Sequence, residues 1–180
     1  MTFARRAARL APLTALLGPG TALVARAETY MTDVQAATTI FPGSKFERRT
    51  LTLSDADAKA VREASGQAVR SKIIVYWKDA GGNAVFVDQV LGKHEFISYA
   101  VAVSTAGAVA GVEILEYRET YGGQIRGAAW RRQFVGKTKT CPLKLDADIR
   151  NIGGATLSSA HVTNGVKRVL ATHDRIRARL

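Results

Sequence analysis

Seven consecutive residues, Gly153-Gly154-Ala155-Thr156-Leu157-Ser158-Ser159, hold the densest set of groups that could do chemistry in this chain. Two glycines allow a tight turn and let another group approach the backbone closely. Three hydroxyls follow, at Thr156, Ser158 and Ser159. Beyond them Val162, Val166, Val169, Leu170, His173 and Ile176 recur at helical spacing on one face. A glycine-rich turn that feeds a helix N-terminus presents amide N–H groups without partners and the positive end of the helix dipole, which suits a phosphate. The plainer reading of the same residues is a loop followed by a Ser or Thr cap. Spacing alone leaves both readings open.

Ile152 to Ser159, with Val162-Thr163-Asn164-Gly165-Val166 behind it, resembles the signature of the FMN-binding domain family. That family includes the covalently flavinylated subunits of the Rnf and sodium-pumping NADH:quinone reductase complexes, and the flavin domain of the nitrous-oxide-reduction regulator. Its pattern reads Ser-Gly-Ala-Thr, then an apolar residue or Thr, then Ser or Thr. In flavinylated members the Thr hydroxyl carries FMN through a phosphoester. The resemblance gives that role to Thr156, with Gly153, Gly154, Ala155, Leu157, Ser158 and Ser159 around the cofactor. Gly153 departs from the pattern, standing where Ser is usual. The resemblance also implies a separate, magnesium-dependent flavin transferase that delivers FMN from FAD.

Two softer blocks extend the likeness upstream, so that it covers about residues 70–172. Gly107 to Gly123 is similar to the family segment that ends in Glu-Thr-Pro-Gly and lies beside the isoalloxazine ring in relatives. Glu119 and Thr120 match its acid and hydroxyl, and Tyr121 replaces Pro. An aromatic there either stacks on the flavin or lies on the surface. Gly92-Lys93-His94-Glu95-Phe96-Ile97 is similar to the segment bordering the flavin pocket. This sets His94 at the flavin edge, against the plainer reading of a structural His-Glu pair.

The elements that must position these residues are predicted from pattern. A short helix over Thr32 to Phe41 ends at Pro42-Gly43, and Phe46 to Leu53 alternates as a strand. Ser54 caps a second helix that runs to Ala64. Ser71–Lys78 and Ala84–Leu91 pair around Ala80-Gly81-Gly82-Asn83; Phe96–Val103 and Val109–Tyr117 pair around Ala106-Gly107. Trp130 to Val135 suits a short helix, and residues 136–152 read as loop. The expected class is α+β, a mainly antiparallel sheet packed by helices, with a C-terminal helix preceded by the flavin-attachment turn.

Residues 1–27 read as a secretory signal peptide. Arg5, Arg6 and Arg9 precede an apolar run from Leu10 to Val24, and Ala25-Arg26-Ala27 supplies a small-x-small cleavage pattern. An uncleaved membrane anchor is the alternative. Residues 28–180 then form one domain, expected in the periplasm. Removing the four leader arginines still leaves a basic chain, which fits an acidic partner or an anionic membrane surface; export argues against nucleic acid. Lys167, Arg168, Arg175, Arg177 and Arg179 are expected on the solvated side of the last helix. Arg126, Arg131, Arg132 and Lys137 surround Trp130, as a phosphate-binding or partner-docking cluster or simply a solvated face. The lone Cys141 rules out an intramolecular disulfide, and there is no Cys-x-x-Cys-His for a c-type haem. His161 and His173, twelve apart, lack zinc-site spacing.

No nucleophile–base set and no nicotinamide fingerprint stand out. The leading expectation is an exported flavoprotein that relays electrons to or from a membrane or periplasmic redox partner. Two others stay open: a noncovalent flavin-dependent reductase, and a cofactor-free periplasmic interaction module.

Overall fold

A computed structural model describes residues 28–180, and the expected signal peptide lies outside the described residues. Six strands form one sheet: β1 (Glu28–Thr29), β2 (Phe46–Thr52), β3 (Ile73–Asp79), β4 (Ala84–Leu91), β5 (Phe96–Val103) and β6 (Val109–Tyr117). Their order is β1-β6-β5-β4-β3-β2, with every neighbouring pair antiparallel. Four α-helices pack on it: α1 (Asp33–Ile40), α2 (Asp55–Ser65), α3 (Ala128–Arg131) and α4 (Thr156–Ile176). This is the expected α+β class, a meander with helices on both faces. Among the described residues no helix is long and apolar enough to cross a membrane.

Local chemistry accounts for the element ends. Thr32 Oγ1 accepts from the Gln35 amide and Gln35 Oε1 from the Thr32 amide, a reciprocal cap at the start of α1. Ser54 and Asp57 do the same for α2, which stops at Gly66 in the left-handed conformation. The β3–β4 hairpin closes where the Asp79 amide donates to the Asn83 carbonyl (3.1 Å) and Asp79 Oδ1 accepts from the Asn83 amide (2.8 Å).

One face of the sheet buries Phe86, Tyr99, Val101 and Val112 beneath α4. The other buries Val85, Ala100, Ala102 and Leu115 beneath Ala36 and Ala37 of α1. All six residues predicted for the inner face of α4 are buried. The helix lies so close to the sheet that a Cβ at Gly165 would stand 2.6 Å from Tyr99 Cζ, where no side chain fits.

Three details differ from the pattern reading. The helix expected over Trp130 to Val135 starts earlier, as α3, and tightens into a 3₁₀ turn over Arg132–Phe134. The two-residue β1, too short for periodicity to detect, is held on β6 by the Tyr30 amide donating to the Leu115 carbonyl (2.9 Å). Arg168 is not on the solvated side of α4. It is buried, and its Nε and Nη2 donate to Asp88 Oδ2 at 2.9 and 2.6 Å, an oxygen that also accepts from Tyr99 (3.0 Å). A buried guanidinium keeps its charge only with such partners, and Asp88 on β4 supplies them. Arg175 and Arg179 stay exposed as expected, while their guanidinium groups reach the buried Asp57.

Candidate functional site

The helix that carries the hydroxyl motif begins differently from the other two long helices. Thr156 is its first residue and Ala155 its cap, so no side chain caps the end and no acid lies in the first turn. The Ser159 amide donates to the Ala155 carbonyl (2.9 Å), the first bond of the helix. The amides of Thr156, Leu157 and Ser158 therefore find no acceptor among the described residues. Gly154 leads in with φ +81°, a conformation costly for side chains, and a Cβ at Gly153 or Gly154 would meet nothing within 4 Å. The usual Ser at position 153 would fit there without a clash, so the Gly153 departure is sterically neutral.

Thr156 is exposed, and its Oγ1 accepts from Asn151 Nδ2 at 3.4 Å. Asn151 is the residue here that sequence reasoning missed. Its Oδ1 accepts from the Ile152 amide (2.8 Å) and Ser159 Oγ (3.0 Å), which fixes the side chain against the turn. The loop before it is fixed in turn by the α3 region. Trp130 Nε1 donates to the Arg150 carbonyl (2.8 Å), and the Arg150 amide donates to Gln133 Oε1 (2.7 Å).

Gly154, Ala155, Thr156, Leu157 and Ser158 form one wall of a cleft of about 420 Å³. The opposite wall is Lys93 and His94 from the β4–β5 hairpin, with Glu119, Thr120 and Tyr121 from the segment after β6. Three stretches far apart in sequence, each marked by its own motif, thus meet in one place. The volume lies within the usual range for small-molecule sites, roughly 300–1,000 Å³. Lys93, inside the segment expected to border the pocket but given no role there, adds a cation; Tyr121 is 82% exposed and stands at the rim.

Behind these walls the polar groups are matched to one another. Glu119 Oε1 accepts from the amides of His94 (2.6 Å) and Glu95 (3.0 Å), tying the hairpin tip to the segment after β6. Burial alone would raise the Glu119 carboxyl, but the amides of Glu95, His94 and Lys93 outweigh it and hold it below the ordinary carboxylate range. A Cβ at Gly92 would come within 2.5 Å of the same oxygen, so the tip closes this tightly only on glycine. Tyr117 donates its hydroxyl to the Tyr121 carbonyl and shares a 3.1 Å hydrogen bond with Ser158. Burial pushes the Tyr117 phenol up. Gly122, at φ +93°, would place a Cβ 2.5 Å from that phenol oxygen. Nothing in the sequence marks Tyr117, which reads as a strand residue.

Two expected residues sit apart from the cleft lining. Gly153 is exposed beside it. Ser159 is fully buried, its single hydroxyl proton within reach of three acceptors, Asn151 Oδ1 and the Ala155 and Thr156 carbonyls. The basic cluster around Trp130 is largely engaged: Arg131 pairs with Glu113 and Lys137 with Asp148, and Arg126 stacks on Tyr30. Half-buried Cys141 accepts from the Thr138 amide.

An oxyanion group fits this end of α4, where open amides, a positive dipole end and free space coincide. No curated protein matches the chain. Residues 92–171 match the family model described as the FMN-binding domain. All ten residues lining the cleft fall inside that span. With the match and the cleft in the same stretch, the chain carries an FMN-binding domain, and its cofactor is FMN.

Proposed function

We propose that this protein is an exported flavoprotein that relays electrons, with FMN joined to Thr156 by a phosphoester. The observation that carries the reading is the exposed Thr156 hydroxyl at the uncapped start of α4, opening onto the cleft. In attachment the Thr156 Oγ–P bond forms, the pyrophosphate bond of FAD breaks, AMP departs and the hydroxyl proton is released. A separate flavin transferase carries out that step. The amides of Thr156, Leu157 and Ser158 would hold the phosphate oxygens, adding roughly 0.3–1 kcal/mol from the dipole at an exposed helix end. Asn151 orients the hydroxyl, and Glu119 fixes the wall that bears Lys93 and His94. When bound, the flavin supplies the redox chemistry; the chain supplies binding, orientation and the contacts that tune it.

The leader-like residues 1–27 support export to the periplasm, where a tether stops the cofactor from diffusing away. The redox partner is then a membrane or periplasmic carrier. Gly153 favours a second reading, noncovalent flavin binding, because the transferase meets a changed motif there. One experiment separates the two. Protein co-expressed with a flavin transferase should gain one FMN by intact mass, and Thr156→Ala should lose it while remaining folded. An unchanged mass with the transferase proven active on another substrate, and yellow colour released on denaturation, would establish loose binding instead.

A further inference from the structure

A second cleft, of about 400 Å³, lies in a fork in the sheet. β3 pairs with β2 over all seven residues and β4 with β5 over all eight, yet β3 and β4 pair only at Tyr76–Phe86, Trp77–Val85 and Lys78–Ala84. Beyond Tyr76 the two strands diverge, and the gap is walled by Val69, Ile74, Val75, Phe86, Val87 and Val169 of α4. Ile73 stands at its mouth, 58% exposed. Most of the lining, Asp33 to Gln89, lies outside the stretch that matches the flavin family; only Arg168 and Val169 fall within it.

An open fork invites a peptide strand, but here the main chain is already occupied. The alternation set at the Asp79–Asn83 pair directs the backbone of Ile73, Val75, Val87, Gln89 and Leu91 towards the gap, with Val75 and Val87 opposite each other at its base. The Ile73 amide donates to Ser71 Oγ (3.0 Å) and the Gln89 amide to Asp88 Oδ1 (2.8 Å). The Gln89 carbonyl accepts from Arg168 Nη2 (3.0 Å), and the Leu91 carbonyl is bound to His161 Nδ1. An added strand would find few groups to pair with. The occupant is therefore recognised by apolar contact and charge.

Of the four charges on the cleft, three are matched within the protein. Arg168 is held by Asp88. Asp33 accepts from Trp77 Nε1 and the Val34 amide, both at 3.0 Å. Arg70 is different: exposed, its guanidinium lies 4.3 Å above the Phe96 ring and meets no carboxylate among the described residues. We propose that the fork binds an acyl chain with an anionic terminus, the chain between β3, β4 and α4 and the anion on Arg70. A free long-chain carboxylate and the acyl chain of an anionic lipid share that chemistry.

The test is calorimetric titration of the flavin-loaded protein with laurate below its micelle concentration, with dodecanol in parallel. Laurate should bind at one saturable site and dodecanol more weakly. Arg70→Gln should weaken laurate by about fivefold, the most an exposed ion pair supplies, and leave dodecanol unchanged. Val75→Phe, which fills the fork, should abolish both; should it fail to fold, Ile73→Asp at the mouth takes its place. Sedimentation with phosphatidylglycerol vesicles distinguishes the sources: binding to vesicles alone, lost on filling the fork, assigns the chain to a lipid. Absence of saturable binding to laurate and vesicles alike overturns the proposal. So does a folded fork-filling variant that binds both as the wild type does.

Discussion

The Thr156 hydroxyl has one side-chain neighbour, Asn151, and the carboxylate of Glu119 works entirely through main-chain amides. These two residues illustrate what single positions could and could not reveal. Thr156, Glu119 and His94 were visible because each sits in a short glycine-bearing motif. Asn151 and Tyr117 were not, since a loop amide and a strand phenol look alike wherever they point. Ser159 could have been placed: it lies three residues before Val162 and seven before Val166, so helical periodicity turns it inward. Glu119→Ala leaves the amides of His94 and Glu95 without their acceptor, at a cost of roughly 1–3 kcal/mol. Urea unfolding should show that loss, and the hairpin-tip wall should loosen, so that FMN titrated into protein made without transferase binds about tenfold more weakly. Glu119→Gln, which keeps an acceptor oxygen, should fall between it and the wild type. Asn151→Ala removes the donor to the Thr156 hydroxyl, and should slow flavin attachment in a timed co-incubation with transferase and FAD while leaving final occupancy unchanged.

Among the elements, α4 was the most legible, because five apolar positions and His173 fix the buried face from spacing alone. The hairpins followed from Gly-bearing turns at 81–82 and 107. The fork between β3 and β4 was not legible, since both strands open with a continuous apolar run whether or not they pair along their length. Nor was the burial of Arg168, because a cation next to Lys167 on a helix gives no sign of an aspartate waiting on a strand eighty residues away. The contact of α4 with the sheet is the place to test how this element is held. Gly165→Ala drives a methyl group into Tyr99 and within 3.0 Å of Val90 Cγ1. Overpacking of this kind costs about 1–3 kcal/mol. The denaturation midpoint should fall accordingly, and the slope of the transition should stay constant. Tyr99→Phe in the Gly165→Ala background should recover only part of the loss, because the ring carbon still clashes after the hydroxyl is gone. Full additivity of the two substitutions would show that helix and sheet do not meet there as described.

For the molecule as a whole, the two ends of α4 divide the work: its start faces the cofactor cleft, and its end anchors α2 and the sheet. His173, near that end, is buried edge-on to Phe86, with ring centroids 6.0 Å apart. Burial, and after it the charge of Arg177, lower the imidazole from its ordinary value, while Asp174 opposes them. The native state therefore holds His173 neutral at a pH where the unfolded chain binds a proton. Stability must fall as pH drops through about 6.5, the unfolded histidine value, and the loss ends once pH passes below the folded one. A second, steeper loss belongs to the carboxylates. The Ser54 amide and the Arg175 guanidinium hold Asp57 far below the usual range, and Glu119, Asp79 and Asp148 are also depressed. Their contribution is present above about pH 4 and disappears as they protonate below it. The two phases can be separated by one substitution. His173→Phe keeps an apolar ring against Phe86 and removes the titrating group. Guanidinium denaturation midpoints measured from pH 8 to 3 should lose the fall that begins at about pH 6.5 in this variant and keep the fall below about 4. A wild-type fall beginning at about pH 6.5 that persists in His173→Phe would place the neutral-range proton on another group.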